Sequence, residues 1–280
     1  MNNLSFESIC NFNISYVFAT KNRSEKAKKM LNELSKNITD NDELICINGG
    51  NEDGLKKYIS NLNIKNFRYI NESDFSDLHA WNKSFLISRG RVIKNICDDD
   101  DYNWKNLKKS VEILLSDDEL DCIFTGGKKI NSITNEETFI NLPSTLNVWH
   151  DNIENLFNYS ISGTGLIFKR RLFAKIGQLW LEPVNEINFL ISCFKNKKVK
   201  VRYLRADTYT HYFHSDSVSN LNSEVKKIFM LKQCFYNCSF KFFIKTYLRQ
   251  SWLSNIKRQI FPKKIKQPGK NLSLFDWKLL

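Results

Sequence analysis

Residues 98–101 are four consecutive aspartates, Asp98-Asp99-Asp100-Asp101, set directly behind the apolar run Val92-Ile93-Lys94-Asn95-Ile96-Cys97. Adjacent carboxylates repel: at an effective dielectric of about 20, two charges at contact distance oppose each other by about 4 kcal/mol. Such a cluster persists when it is fully solvated, when some of its groups are protonated, or when a cation sits among them. The residues in front of it favour the cation. Val92, Ile93, Ile96 and Cys97 have the pattern of a short buried strand, and buried parallel strands deliver ligand-binding groups at their carboxyl ends. Hard carboxylate oxygens at such an edge suit Mg²⁺ or Mn²⁺ holding a phosphate-bearing substrate.

The elements that must position these acids can be read on either side of them. Ser15–Thr20, Glu43–Asn48 and Phe67–Ile70 are apolar, strand-like runs. Between them lie helical patterns over Glu25–Ser35, with Ser24 as the expected N-cap, and over Leu55–Asn61. Leu78–Ser88 precedes the aspartate strand and Trp104–Leu115 follows it, both with apolar residues at helical spacing. Strands that are apolar throughout and alternate with helices predict an α/β fold, a mostly parallel sheet covered on both faces. Further on, Asp121–Lys129, Thr138–Leu142, Ser162–Lys169 and Val199–Leu204 read as strands, and Thr208–His214 as a last extended segment. Arg171–Ile176 reads as a short helix stopped by Gly177, and Asn185–Phe194 as a longer one.

Composition narrows the class. The chain has 280 residues, 42% of them hydrophobic, enough for a sizeable core and too apolar for disorder. No run approaches the ~20 apolar residues that cross a bilayer. Met1–Phe12 lacks the basic segment and apolar stretch of a secretory signal. Cys46, Cys97 and Cys122 sit in apolar runs and read as small buried hydrophobes in a reducing compartment. The net charge of +12 is uneven: residues 221–280 carry 13 Lys/Arg against 2 Asp/Glu. A near-neutral body, residues 1–220, is therefore expected to precede a basic, aromatic, mostly helical extension, residues 221–280, with an anionic partner of its own.

Five motifs in order resemble the family 2-like glycosyltransferases with the GT-A fold. Ala19-Thr20-Lys21-Asn22-Arg23 is similar to the family's Pro-Thr-Tyr-Asn-Arg turn. Asn48-Gly49-Gly50-Asn51-Glu52-Asp53 resembles its Asp-Asp-Gly-Ser-x-Asp turn. His79-Ala80-Trp81-Asn82-Lys83 looks like its Ala-Arg-Asn helix. Asp98–Asp101 fits its Asp-x-Asp-Asp signature, and residues 162–177 resemble its acceptor-side strand, helix and glycine.

The resemblance implies an inverting, metal-dependent enzyme. It would move a sugar from a nucleotide-diphospho-sugar to a glycan or lipid-linked glycan hydroxyl, in cell-surface polysaccharide synthesis. It further implies that Thr20, Asn22, Arg23, Asn82 and Asp98 line the donor and that Asn48 stands where an acidic residue meets the base. An amide both donates and accepts, so that contact would change character. Asp98 and Asp100 would hold Mn²⁺ or Mg²⁺, with His214 as a further contact, and Asp101 would orient the transferred sugar. Asp99 is expected to point elsewhere. The base is sought between Glu182 and Glu186, and Glu186 aligns better with the family's Glu-Asp pair. His211, three residues before His214, would face the opposite side of an extended segment and is set apart from the site.

Two rival readings stand beside it: an inactive GT-A domain kept as a binding module, to which the departures at Asn48 and Glu186 point, or a nucleotidyltransferase-like nucleotide-binding enzyme on a similar sheet. The latter calls for a glycine-rich basic loop after the first strand, and residues 20–24 contain no glycine. In the extension, Phe240, Phe243, Ile244, Tyr247, Leu248 and Trp252 recur at helical spacing among Lys241, Lys245 and Arg249. That pattern either packs as ordinary core or lies on an anionic membrane. No nucleic-acid recognition pattern accompanies it. The expected location is cytoplasmic, peripheral at the inner face of the cytoplasmic membrane.

Overall fold

Apolar, β-branched runs become strands wherever a helix returns the chain beside them. The computed structural model describes residues 12–51, 54–73, 77–139, 153–157, 163–177, 185–213 and 223–248. Strands β1 (Phe12–Thr20), β2 (Glu43–Asn48), β3 (Phe67–Asn71) and β4 (Gly90–Ile96) are joined by helices α1 (Ser24–Asn37), α2 (Leu55–Ser60) and α3 (Asp77–Ile87). Then come β5 (Asp100–Tyr102), α4 (Trp104–Ser116), β6 (Cys122–Asn131), β7 (Glu137–Phe139) and 3₁₀ turns at Ile153–Phe157 and Gly163–Gly165. The chain continues through β8 (Leu166–Lys169), α5 (Leu172–Ile176), α6 (Asn185–Lys195), β9 (Val201–Phe213) and α7 (Ser223–Asn237).

The described strands form one sheet in the order β3-β2-β1-β4-β8-β6-β9-β5, with β7 beside β6. The first four are parallel. β8 enters antiparallel between β4 and β6, and β5 and β7 pair antiparallel at the far side. Six of the nine strands run in one direction, the mixed but largely parallel sheet expected of a GT-A domain. Two segments differ from their sequence reading. Residues 163–165 form a 3₁₀ turn, so the strand after it begins only at Leu166. The two segments read at Val199–Leu204 and Thr208–His214 are one strand, β9, whose register against β6 shifts twice around Gly126. The shifts leave Arg205, Ala206 and Thr208 of β9 without a partner on β6, as extra residues in one strand of a pair do, and the charged Arg205 and Asp207 there made the strand look broken.

Helices cover both faces. Ala27, Met30, Leu31 and Leu34 of α1 and Leu107, Val111 and Leu114 of α4 recur at helical spacing and bury against Tyr16, Phe18, Leu44 and Val92. On the other face an aromatic cluster joins Phe85 of α3, Phe168 of β8, Phe173 of α5 and Phe189 of α6, with centroids 5.2–5.8 Å apart. Buried carboxylates close the amino ends of the strands. Glu43 accepts from Ser15 Oγ at 2.6 Å and Arg68 at 2.8 Å. Asp121 accepts from Arg171 at 2.8 Å and Lys175 at 2.7 Å. Cys46 and Cys122 are buried free thiols and Cys97 is half-buried. Two compact units divide the chain, Met1–Cys238 and Ser239–Leu280. In the second, the described residues form a helix over 240–248. Among the described residues no helix is long and apolar enough to cross a membrane.

Gly90 opens β4 against β1. A Cβ there would meet Ser15 N at 2.5 Å and Ile14 C at 2.8 Å, both main-chain atoms that cannot swing aside. Gly90→Ala is expected to lower unfolding free energy by about 1–3 kcal/mol, read as a fall in the urea midpoint at unchanged slope.

Candidate active site

The carboxyl ends of β1, β2 and β4 meet at one edge of the sheet. At the end of β1, Gly49 N–H donates to Thr20 O at 2.9 Å and fastens the β2 turn to the β1 turn. Asn22 takes the left-handed conformation, φ 55°, and its side chain lies against Gly50, where any Cβ would come within 2.3 Å of Asn22 Oδ1. Gly50 thus serves close approach of one turn to the other.

Asn48 is fully buried at the end of β2. Its Nδ2 donates to Asn51 O and to Tyr69 Oη, both at 3.1 Å, and its Oδ1 accepts from Gly50 N–H at 3.0 Å. These bonds shape the 49–51 turn from within. Asn71 Nδ2 adds a bond to Gly50 O at 3.0 Å.

The acid loop lies between β4 and β5, and every carboxylate in it has a donor. Asp98 Oδ2 accepts from Thr20 Oγ1 at 2.9 Å and Asp98 Oδ1 from Arg23 at 3.1 Å. The same Arg23 Nη1 reaches Asp99 Oδ2 at 3.1 Å, so Asp99, expected to point away, shares the cation of Asp98. Arg23 can do this because it occupies the cap position of α1 with non-helical backbone, φ −134° and ψ 43°. Ser24, the expected cap, is instead the first helical residue. Burial raises the Asp98 carboxyl above its usual range, and Arg23 and Thr20 act against that while Asp99 adds to it.

Asp100 is 2% exposed although it belongs to an edge strand. Its Oδ2 accepts from Thr164 Oγ1 at 2.9 Å, and its Oδ1 lies 2.8 Å from His211 Nδ1. β5 pairs with β9 in a register that sets Asp100 opposite His211. His211, set apart on spacing alone, is therefore a direct partner of the central acid. Burial works to lower the imidazole, but its bond to Asp100 and the charges of Asp100 and Asp99 outweigh burial, so the net shift is upward. Asp101 is half exposed, accepts from Tyr212 Oη at 2.6 Å and lies 3.7 Å from Lys29 Nζ.

The loop thus gathers Thr20, Arg23, Asp98, Asp99, Asp100, Asp101, Thr164, His211 and Tyr212, while Asn22 and Asn48 build the adjoining turn. Asn82 is buried on α3. Glu186 has its backbone at the second position of α6; its side chain, together with Glu182 and His214, lies outside the described residues. Thr164, His211 and Tyr212 escaped the sequence reading because their partners are far along the chain. A visible signal was the alternation of Tyr209, His211 and Phe213, which places His211 on one face of a strand with its aromatic neighbours.

Chemically this is a hard-oxygen cluster at the carboxyl edge of a largely parallel sheet, with Arg23 at the mouth. Among the described residues no three His, Cys, Asp or Glu side chains converge as a metal cage. Asp98 and Asp100 nonetheless fit Mg²⁺ or Mn²⁺: each keeps lone pairs beyond those already accepting. Such ions also commonly bind through one or two carboxylates, with substrate phosphates and water completing the shell.

Fold and site together define a GT-A nucleotide-sugar transferase. The glycosyl transferase family 2 profile matches residues 15–177, more than half of the chain, and the chain belongs to that family. Among solved structures it is similar to Staphylococcus aureus TarS, residues 1–349, in complex with UDP-GlcNAc: TM-score 0.62 and 14% identity, over 90% of this chain and 77% of that one. The same TarS fragment with UDP gives TM-score 0.57 and 14% identity, over 91% and 76%. A mycobacterial protein gives 0.52 and 14%, over 72% and 68%. At these identities the likeness is one of fold. No curated protein matches the chain.

The His211–Asp100 pair carries a pH signature. Because the imidazole is raised above its ordinary value of 6.5, its stabilising contribution is full below that value and is lost as pH rises through the higher folded value. In metal-free protein, His211→Asn is expected to lose more unfolding free energy relative to wild type near about pH 5.5 than near about pH 9. Urea titrations at both values measure it; an equal loss would remove the pair from the account.

Proposed function

We propose that the protein transfers a sugar, with inversion, from a nucleotide-diphospho-sugar to a hydroxyl of a glycan or lipid-linked glycan, in cell-surface polysaccharide assembly. The supporting observation is the acid loop: Asp98 and Asp100, at the carboxyl edge of a family 2 fold, are held in fixed orientation by Thr20, Arg23, Thr164 and His211. Thr20, Asn22 and Arg23 line the nucleotide and its phosphates, and Asn48 holds the turn beneath the base. Asn82 contributes from α3. Asp98 and Asp100, with His214, would hold Mn²⁺ or Mg²⁺, which supplies positive charge to the departing diphosphate. Asp101 orients the transferred sugar. Glu186 takes the proton from the acceptor hydroxyl as that oxygen attacks the anomeric carbon, and a single displacement with one base inverts the centre.

One observation favours a second reading, a GT-A module that binds without transferring. Both oxygens of Asp100 already have protein partners. Release of nucleoside diphosphate from UDP-, GDP- and dTDP-sugars, with Mn²⁺, Mg²⁺ or EDTA, separates the two. The transfer reading expects release from one class of donor only with metal present, and a loss of ~100-fold or more in Asp100→Asn. Nucleotide binding without turnover would establish the module instead, and metal-independent release would remove the ion from the mechanism.

The helix over 240–248 supports a place at the inner, cytoplasmic face of the membrane. Phe240, Ile244, Tyr247 and Leu248 are exposed large hydrophobics recurring on one face, with Lys241 and Lys245 beside them. Aromatic and aliphatic groups flanked by lysines match an anionic bilayer surface. The full chain is expected to pellet with phosphatidylglycerol vesicles at low salt and not with phosphatidylcholine ones. Lys241→Glu with Lys245→Glu should abolish the difference; equal pelleting before and after the double change would remove the membrane from the proposal.

A further inference from the structure

Lys94 is a buried ionisable side chain to which the reaction above gives no task. It sits in the middle of β4 between Val92, Ile93 and Ile96, wholly buried. In register it lies beside Tyr16 of β1 and Ile167 of β8. Its Nζ donates to the main-chain oxygen of Thr164, lies 3.5 Å from that of Leu166, and stands 5.4 Å from the centroid of the Tyr102 ring. Among the described residues no carboxylate forms an ion pair with it. Burial pushes the ammonium down to about 8, against the opposing charges of Cys97 and Asp100.

An unpaired buried ammonium is costly, and an unbranched apolar side chain of similar length would avoid that cost. What the ammonium can do, and an apolar chain cannot, is orient carbonyl oxygens and the face of an aromatic ring. The groups it orients lie on opposite walls of the acid loop. Thr164, whose carbonyl Lys94 holds, donates its hydroxyl to Asp100 Oδ2 at 2.9 Å. Tyr102, whose ring faces Nζ, accepts the Cys97 N–H at its hydroxyl at 2.9 Å. Cys97 and Tyr102 bracket the four aspartates in the chain, and Thr164 meets them from across the sheet. One buried cation therefore ties both walls from beneath. The same turn packs closely on the sheet: a Cβ at Gly165 would lie 2.6 Å from Thr125 O.

We propose that Lys94 is a positioning residue for the transfer reaction: by holding the Gly163–Gly165 turn and the Tyr102 ring, it fixes the Asp100 carboxylate in its working orientation. This rests on the reading in which Asp100 acts in transfer.

The test uses full-length protein, UDP-GlcNAc with Mn²⁺ as the probe, and UDP release as the assay. Lys94→Met is expected to lower kcat by about tenfold or more while KM for UDP-GlcNAc moves less than about threefold, with Tm unchanged or raised. Lys94→Arg, which keeps the charge, should recover part of kcat. Independently of any substrate, amide hydrogen exchange across residues 97–102 should quicken in Lys94→Met while the helices α1 and α4 keep their protection. An unchanged kcat, or a loss of kcat matched by a fall in Tm and faster exchange throughout the chain, would overturn the proposal. Should Lys94→Met fail to fold, Thr164→Val replaces it. That change removes the hydroxyl to Asp100 and leaves the carbonyl held by Lys94; the same selective loss of kcat is expected, and an unaltered kcat would overturn the idea equally. Failure of the underlying reading looks different. In that case wild type releases no nucleoside diphosphate from any of the UDP-, GDP- and dTDP-sugars, or Asp100→Asn releases it as fast as wild type, and hydrogen exchange at 97–102 alone decides the role of Lys94.

Discussion

Four neighbouring carboxylates must be held apart in a largely buried loop, and most of the site follows from how this is done. The protein gives every acid a donor, and the donors are drawn from different parts of the fold. Arg23 at the cap of α1 serves Asp98 and Asp99. Thr164 and His211 serve Asp100, and Tyr212 serves Asp101. Fixed donors in a region of low dielectric both lower the repulsion and set orientation. The buried acids at the opposite end of the strands, Glu43 and Asp121, show the contrasting solution. Each is matched there directly by arginine or lysine. They fasten the sheet. The loop acids remain electronegative as a group and are directed to one edge, which is what a cation or a phosphate–metal pair requires.

Much of this was legible in the amino-acid order. The apolar runs at residues 15–20, 43–48 and 90–97 are strands because they can be buried on both faces, and short runs bounded by polar turns admit few alternatives. The amphipathic spacing in α1 and α4 marks the face that covers Tyr16 and Phe18. Thr20, Arg23 and Asp98 were singled out by family resemblance, and the fold brings Thr20 and Arg23 within hydrogen-bonding distance of Asp98.

What was not legible depends on contacts distant in sequence. Acidic residues are poor strand formers, so nothing local marks residues 100–102 as a strand; β5 exists because β9 offers it an edge. Spacing from His214 puts His211 on the wrong side, since the face a strand residue presents is decided by its partner strand and not by a neighbour on its own. Asn48 shows a similar limit. Resemblance locates it at the base-binding turn, but only the fold reveals that its amide is already engaged by Gly50, Asn51 and Tyr69. Lys94 was visible as a charge within an apolar run, but its partners, 70 and more residues downstream, were not.

The pairing of β5 with β9 bears on how the protein is made. Asp100 and His211 are separated by 111 positions, and β9 also lies alongside β6 over its whole length. During synthesis, chain growth proceeds from the amino end, and sheets closed by distant segments form slowly. The β1–β4 layer can therefore assemble on the ribosome while the loop acids still lack His211 and Tyr212. Asp100 and Asp101 gain these partners only as residues 201–213 emerge, so the acid loop takes its final arrangement late in synthesis, after the scaffold that carries it.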